Sequence, residues 1–140
     1  MEDATSAITL DAARSIVAAT PFGRWWGLHV DDVGRGWAVV SLPWRDELVR
    51  PGGVLHGPSY DVVADVAMWL AIMTITGAEE MAVTVQTSTS FLRGATTAIE
   101  SRAEVLRLGR RIVFGQAVTT DETGAMVAHT TLTYARASTG

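Results

Sequence analysis

Gly57-Pro-Ser-Tyr60-Asp61-Val-Val-Ala64-Asp65-Val-Ala-Met-Trp69-Leu-Ala-Ile72-Met-Thr-Ile75-Thr-Gly77 is the stretch on which the fold turns. Proline is tolerated at its start because the first N–H groups of a helix have no intrahelical partner, and glycine closes it as a natural C-cap. Between these ends Val62, Val63, Val66, Met68, Trp69, Leu70, Ile72, Met73 and Ile75 leave almost no polar face. A helix apolar nearly all round is buried by its own protein. A membrane span is the other home for such a run, but Asp65 interrupts it, and a lipid-facing helix carries a carboxylate at high cost. The pattern therefore predicts one long central helix, about 57–77, that the rest of the chain must cover.

The cover is written on both sides of it. Downstream, Met81–Phe91, Thr97–Leu108, Arg110–Thr120 and Ala125–Arg136 are rich in Val, Ile and Thr, alternate in polarity, and are parted by turns at Gly94, Gly109 and 121–124. Short connections predict an antiparallel four-strand meander over 81–136. Upstream, Leu28–Val33 and Gly36–Trp44 read as two strands joined at Gly34-Arg35-Gly36. Leu10–Thr20 reads as a short amphipathic helix capped by Thr9 and followed by Pro21, and Arg45–His56 as a loop. One helix wrapped by a curved antiparallel sheet is an α+β architecture, the hotdog fold, and 1–140 is expected to form a single such domain.

Composition narrows the chemistry. The chain has no cysteine, which excludes disulfides, thiolate metal sites and cysteine nucleophiles. All eleven basic residues are arginine, so a Schiff base or lysine general base is excluded as well. His29, His56 and His129 are too far apart for metal-ligand spacing, and no metal or cofactor is expected. A net charge of −4 argues against nucleic acid as a partner. The acidic start, Met1-Glu2-Asp3-Ala4-Thr5, lacks the basic residues and apolar run of a signal peptide, so the expected location is the cytoplasm, away from membranes. Of Trp25, Trp26, Trp37, Trp44 and Trp69, most are expected in the core or an interface, with one or two lining an acyl or aryl pocket.

Asp65 is the first candidate for chemistry, since an unpaired carboxylate among apolar neighbours costs several kcal/mol, roughly. Taken alone, a lone mid-helix Asp reads more readily as a buried carboxylate satisfied by hydroxyls or an arginine, or as one reaching a solvent channel. The segment before it adds more. Gly53-Val-Leu-His56-Gly57, with a helix starting at once and Ala64-Asp65-Val-Ala67 nine residues beyond the histidine, resembles the active-site segment of the phenylacetate-degradation (PaaI-like) hotdog thioesterases. The likeness continues through Val83-Thr-Val85, Ser90-Phe-Leu-Arg93, Leu108–Val113 and Gly124–Ala128, and so covers about Arg50 to Tyr134.

The resemblance implies that Asp65 attacks the thioester or activates a water, and that the Gly57 N–H polarises the carbonyl. The latter suits the unpaired N–H groups and dipole of a helix start. It implies that His56 orients the loop or touches the thioester, and that Thr84 lies where a hydroxyl places the water across a dimer interface. Arg93, Arg110 and Arg111, beside Arg107, stand where such enzymes receive the phosphates of coenzyme A. Each also has a plain reading, as turn glycine, loop histidine, strand threonine or solvated hairpin arginine. Three departures stand out. Arg50 replaces an asparagine six residues before His56; as a cation it can pair with Asp65 or contact the ligand. Pro58 replaces a second glycine and brings no N–H. Asp61 lies one turn before Asp65, where mutual repulsion disfavours ionising both. Alternatively, an Asp in a first helical turn simply answers the dipole.

The expected function is an acyl-CoA thioesterase acting on aryl or medium-chain acyl groups, assembled as a homodimer or dimer of dimers. A non-catalytic acyl-CoA-binding module stays open because of Arg50 and Asp61. A hotdog hydratase or dehydratase is disfavoured, because the helix glutamate and the earlier histidine those enzymes need are absent.

Overall fold

The structure, a computed structural model, describes residues 5–137; the acidic residues at 1–4 lie outside them. The long helix, α3, spans Gly57–Thr76, and Gly77 caps it with its N–H on the Met73 carbonyl. Twelve of its twenty residues are buried, and the half-buried ones, Asp61, Asp65 and Trp69 among them, share one face. Full burial of side chains such as Leu70 and Ile72 stabilises the fold by about 1.5–3 kcal/mol each. The helix is long and apolar enough to cross a membrane, yet 67% of that stretch is buried inside the molecule, as a core helix requires.

Two helices precede it. α1, Leu10–Ala18, starts at Thr9, whose hydroxyl accepts the Ala12 N–H. The expected single helix over 10–20 is corrected here, because Thr20 opens a second one. α2, Pro21–Trp26, has Pro21 in its first turn, and the Thr20 hydroxyl accepts the Gly23 N–H. A proline that ends one helix is equally suited to begin the next. Strands β1, His29–Gly34, and β2, Trp37–Leu42, follow. The expected loop over 45–56 holds a short 3-10 turn at Asp46–Leu48 and a two-residue ribbon of β3, Val49–Arg50, and β4, Val54–Leu55. That ribbon turns through Gly52 and Gly53, both at positive φ (106° and 81°), where a side chain would be strained.

After the helix come β5, Val83–Phe91; β6, Ile99–Leu108; β7, Ile112–Asp121; and β8, Met126–Ala135. The sheet order is β1-β2-β6-β7-β8-β5, with antiparallel neighbours throughout. The four-strand meander is therefore corrected. Only β6, β7 and β8 follow one another; β5 skips to the far edge beside β8, and β6 pairs with β2. The reason is the connection over residues 92–98, which passes the start of α3, where Leu55 donates its N–H to the Ala95 carbonyl and Tyr60 Oη accepts the Ala95 N–H. The sheet curls round α3 so closely that a Cβ on Gly115 would lie 2.1 Å from Met68 Cε and 2.4 Å from the Glu104 carbonyl. This is the hotdog fold: six antiparallel strands wrapped around one central helix. None of the five tryptophans is fully buried in the chain, so of the two places expected for most of them, core or interface, the chain's own core is not one; that core is built of Val, Leu, Ile, Met and Ala.

Candidate active site

Gly57, Asp61, Asp65 and Thr84, of the residues named from sequence, fall along one seam between α3 and the edge strand β5. Three contacts pair them in opposite chain directions. Near the start of β5, Thr84 donates its hydroxyl to Asp65 Oδ1 at 2.9 Å. Further along, Thr89 donates to Asp61 Oδ1. At its end, the Phe91 ring covers Gly57, 3.6 Å from where a Cβ would stand.

Asp65 is half-buried on the inner turn of α3, and its strongest partner escaped the sequence reading. Tyr134, buried on β8, donates its hydroxyl to Asp65 Oδ1 at 2.6 Å and lies 2.9 Å from the Asp65 carbonyl oxygen. Burial, with the Asp65 charge beside it, pushes the Tyr134 phenol well above its ordinary value, so it remains a proton donor. Both donors converge on Oδ1. A lone tyrosine near the end of a strand carries no sequence signal for this role; only strand register aligns it, through the Thr84–Tyr134 pair. Within the chain Thr84 meets its own Asp65. Arg50 is corrected as a partner of Asp65 within the chain: its Nε donates to the Pro51 carbonyl. Asp61 and Asp65 do share a helix face, but each has its own hydroxyl donor on β5.

Beside Asp65 opens a cleft of about 260 Å³ lined by Phe22, Val66, Trp69, Ala82, Val83 and Tyr134. Its walls are largely apolar, and the Phe22 and Trp69 rings stand 6.3 Å apart at 53°. Phe22 comes from α2, the helix the sequence reading missed.

Gly57 belongs to a different concavity, about 550 Å³, shared with Arg50, Tyr60, Phe91 and Arg93. Its N–H is the first of α3 and has no intrahelical acceptor. His56 caps the helix without a side-chain bond to its backbone. The His56 ring meets Ser59 Oγ at 2.7 Å through Nδ1 and stacks on Trp26, with centroids 6.0 Å apart. Those contacts hold the ring between α2 and the first turn of α3. Along the helix, eight residues at 1.5 Å each separate Gly57 from Asp65 by about 12 Å, so within one chain the two do not face a common reacting group.

Arg110 and Arg111 lie apart from Arg93, at the β6–β7 hairpin with Arg107, in a concavity of about 500 Å³. Register ties that hairpin to the Asp65 end of the seam, because Ile112 pairs with Ala135 and Ala135 with Val83. Nearby, Arg136 forms an ion pair with Glu80 and donates to the Gly109 carbonyl. A cleft of about 490 Å³ at the opposite end is lined by Asp31, Glu100, Asp121 and Glu122, a charge that repels phosphates. Among the described residues no group of three or more His, Asp or Glu could hold a metal ion.

Residues 52–137 match the model of the thioesterase superfamily. The chain belongs to that superfamily. A variant of the phenylacetic acid degradation protein PaaI from Thermus thermophilus is 30% identical with a TM-score of 0.76, over 84% of this chain and all of that one. A candidate esterase of Thermoplasma acidophilum is 25% identical, over 86% of this chain and 92% of its own length. For fold alone, a Haemophilus influenzae thioesterase superposes with a TM-score of 0.85 at 21% identity, over 96% and 94% of the two chains. The resemblance drawn from the His56–Ala67 segment thus stands as a resemblance to a thioesterase family, and the hotdog architecture with it.

Proposed function

We propose that this member of the superfamily hydrolyses acyl-CoA thioesters at a site completed by a second copy of the chain. The observation that carries the reading is the placement of its two half-sites at opposite ends of an unpartnered edge strand. Asp65 faces Thr84 at one end of β5, and Gly57 faces Phe91 at the other. The outer edge of β5 has no neighbour in the sheet, and Val83, Val85 and Phe91 are each more than half exposed. A nine-residue edge strand with an unpaired row of backbone N–H and C=O groups is a template for pairing. Antiparallel pairing of two such strands about their middle, near Thr87 and Ser88, brings each Asp65 end beside the partner's Gly57 end. A homodimer then has two complete sites, and a dimer of dimers has four.

In such a site the thioester carbonyl oxygen rests on the Gly57 N–H, where the helix dipole favours the charge that develops on it. Asp65 of the other copy takes a proton from water, whose oxygen adds to the carbonyl carbon. The C–S bond breaks as the carbonyl reforms, and the proton passes to the departing thiolate, leaving a carboxylic acid and free coenzyme A. Direct attack by Asp65 Oδ2 through an anhydride is the other route open to the same carboxylate, since Thr84 and Tyr134 hold only Oδ1. The Phe22–Trp69 cleft takes the acyl group, and its aromatic walls favour an aryl or medium apolar chain. Arg93 on the Gly57 side, with Arg110 and Arg111 on the Asp65 side, offers forks for the coenzyme's phosphates.

The test is thiol release from a panel of aryl- and alkyl-acyl-CoAs, with wild type beside Asp65→Asn. Release by wild type that is lost in the variant supports the reading and names the acyl class. Tight acyl-CoA binding without turnover across the panel turns it toward the binding module.

A further inference from the structure

We infer that Arg50 is a second oxyanion donor, supplying from its side chain the hydrogen bond that the start of α3 cannot. The inference rests on the hydrolase reading above and deepens it.

The donor inventory at the helix start is short. Pro58 has no N–H, and the Ser59 N–H is already given to the His56 carbonyl at 3.1 Å. Of the first three helical positions, Gly57 alone keeps an N–H for a ligand. One neutral donor is a weak cradle for a charge that forms in the transition state, where preorganised donors matter most.

Arg50 stands where a second donor is needed. It lines the same concavity as Gly57, with Phe91 and Arg93. The strand carrying it is fixed relative to the helix start. Arg50 pairs with Val54 in the β3–β4 ribbon, and β4 leads straight into His56, whose N–H bonds to the Leu48 carbonyl at 2.8 Å. Its Nε is held by the Pro51 carbonyl at 3.1 Å, which anchors the base of the guanidinium. The terminal N–H groups make no hydrogen bond or ion pair among the described residues. An anchored guanidinium with unspent, permanently charged donors is suited to an oxygen that gains negative charge. As the attacking oxygen adds to the carbonyl carbon, the C=O electron pair moves onto the carbonyl oxygen between Gly57 N–H and Arg50, and it returns as the thiolate leaves.

The alternative duty for an exposed arginine here is a coenzyme phosphate, and the two duties separate by substrate. One acyl group is offered on coenzyme A and on N-acetylcysteamine, which has the thioester but no phosphate. The enzymes are wild type, Arg50→Met and Arg50→Lys, each checked by circular dichroism and light scattering. Arg50 is exposed, so its loss leaves no buried group unpaired. An oxyanion donor predicts that Arg50→Met lowers kcat about 100-fold on both esters, with KM changed by less than about three-fold. Arg50→Lys should recover part of kcat on both, because charge returns without the planar fork. A deficit confined to the coenzyme A ester and expressed in KM overturns the inference. So does a variant whose maximal rate regains the wild-type value at high pH, which would mark Arg50 as a partner of Asp65. Failure of the underlying reading looks different: wild type itself then releases no thiol from either ester, and the inference falls with it.

Discussion

At the scale of residues, the decisive cluster is Asp65 with Tyr134 and Thr84. Asp65→Asn keeps the shape and both donors' reach while removing the charge, so thiol release should fall by about 10²–10⁴-fold with an unchanged circular dichroism spectrum. Full activity in that variant would remove Asp65 from the mechanism. Tyr134→Phe deletes one hydroxyl from a buried ring. It should lower kcat with little change in KM and cost about 1 kcal/mol of stability, read from urea midpoints. Glu100 is a separate case, at the acidic end of the sheet. Partial desolvation first, and then the charge and hydrogen bond of Asp31, raise the carboxyl of this exposed residue above the ordinary range. A raised folded-state carboxyl contributes stability that is present below the unfolded value and lost as pH rises through the folded one. Glu100→Gln should therefore raise Tm at pH 7, with the gain vanishing in scans near pH 3. His56, Gly57 and Asp65 were all legible as one motif, because their spacing is local. Tyr134 was not, because its place beside Asp65 depends on strand pairing 69 residues along the chain.

At the scale of elements, α3 was readable from its sequence because an apolar surface on all sides has one use in a folded chain. Its fit against the sheet was not. Gly115 looks like any strand glycine, yet it is the point where β7 lets Met68 approach. Gly115→Ala should destabilise the fold by about 1–3 kcal/mol through overpacking, measurable as a lower urea midpoint at constant m-value. α2 escaped notice because six residues carry no helical period, and Pro21 signals a stop as readily as a start. It nonetheless delivers Phe22 to the cleft beside Asp65. Widening that cleft with Phe22→Ala should shift thiol release toward longer acyl chains. An acyl preference identical to wild type would take α2 out of the site.

At the scale of the whole molecule, the proposed assembly turns on β5. Val85→Asp puts a charge on an exposed strand that the proposed assembly buries. Light scattering should then report a monomer, and thiol release should fall with it, since in the proposed assembly each chain supplies half of each site. A dimer that survives this change with full activity would move the interface elsewhere. Four strand-like segments after the helix were visible from alternation and turn residues, but alternation is a property of one strand and says nothing about its neighbour. That is why a meander of four was expected where β5 occupies the far edge. By itself, then, the sequence determined what local spacing and composition can encode: a buried central helix, a covering sheet of β-branched strands, a carboxylate eight residues from a helix-start glycine, and no cysteine or lysine chemistry. Only the tertiary structure decided which strands pair, that Tyr134 and Thr84 hold one oxygen of Asp65, and that Gly57 shares its concavity with Arg50. Those are contacts between residues distant in the chain, and they exist only once the sheet has closed around the helix.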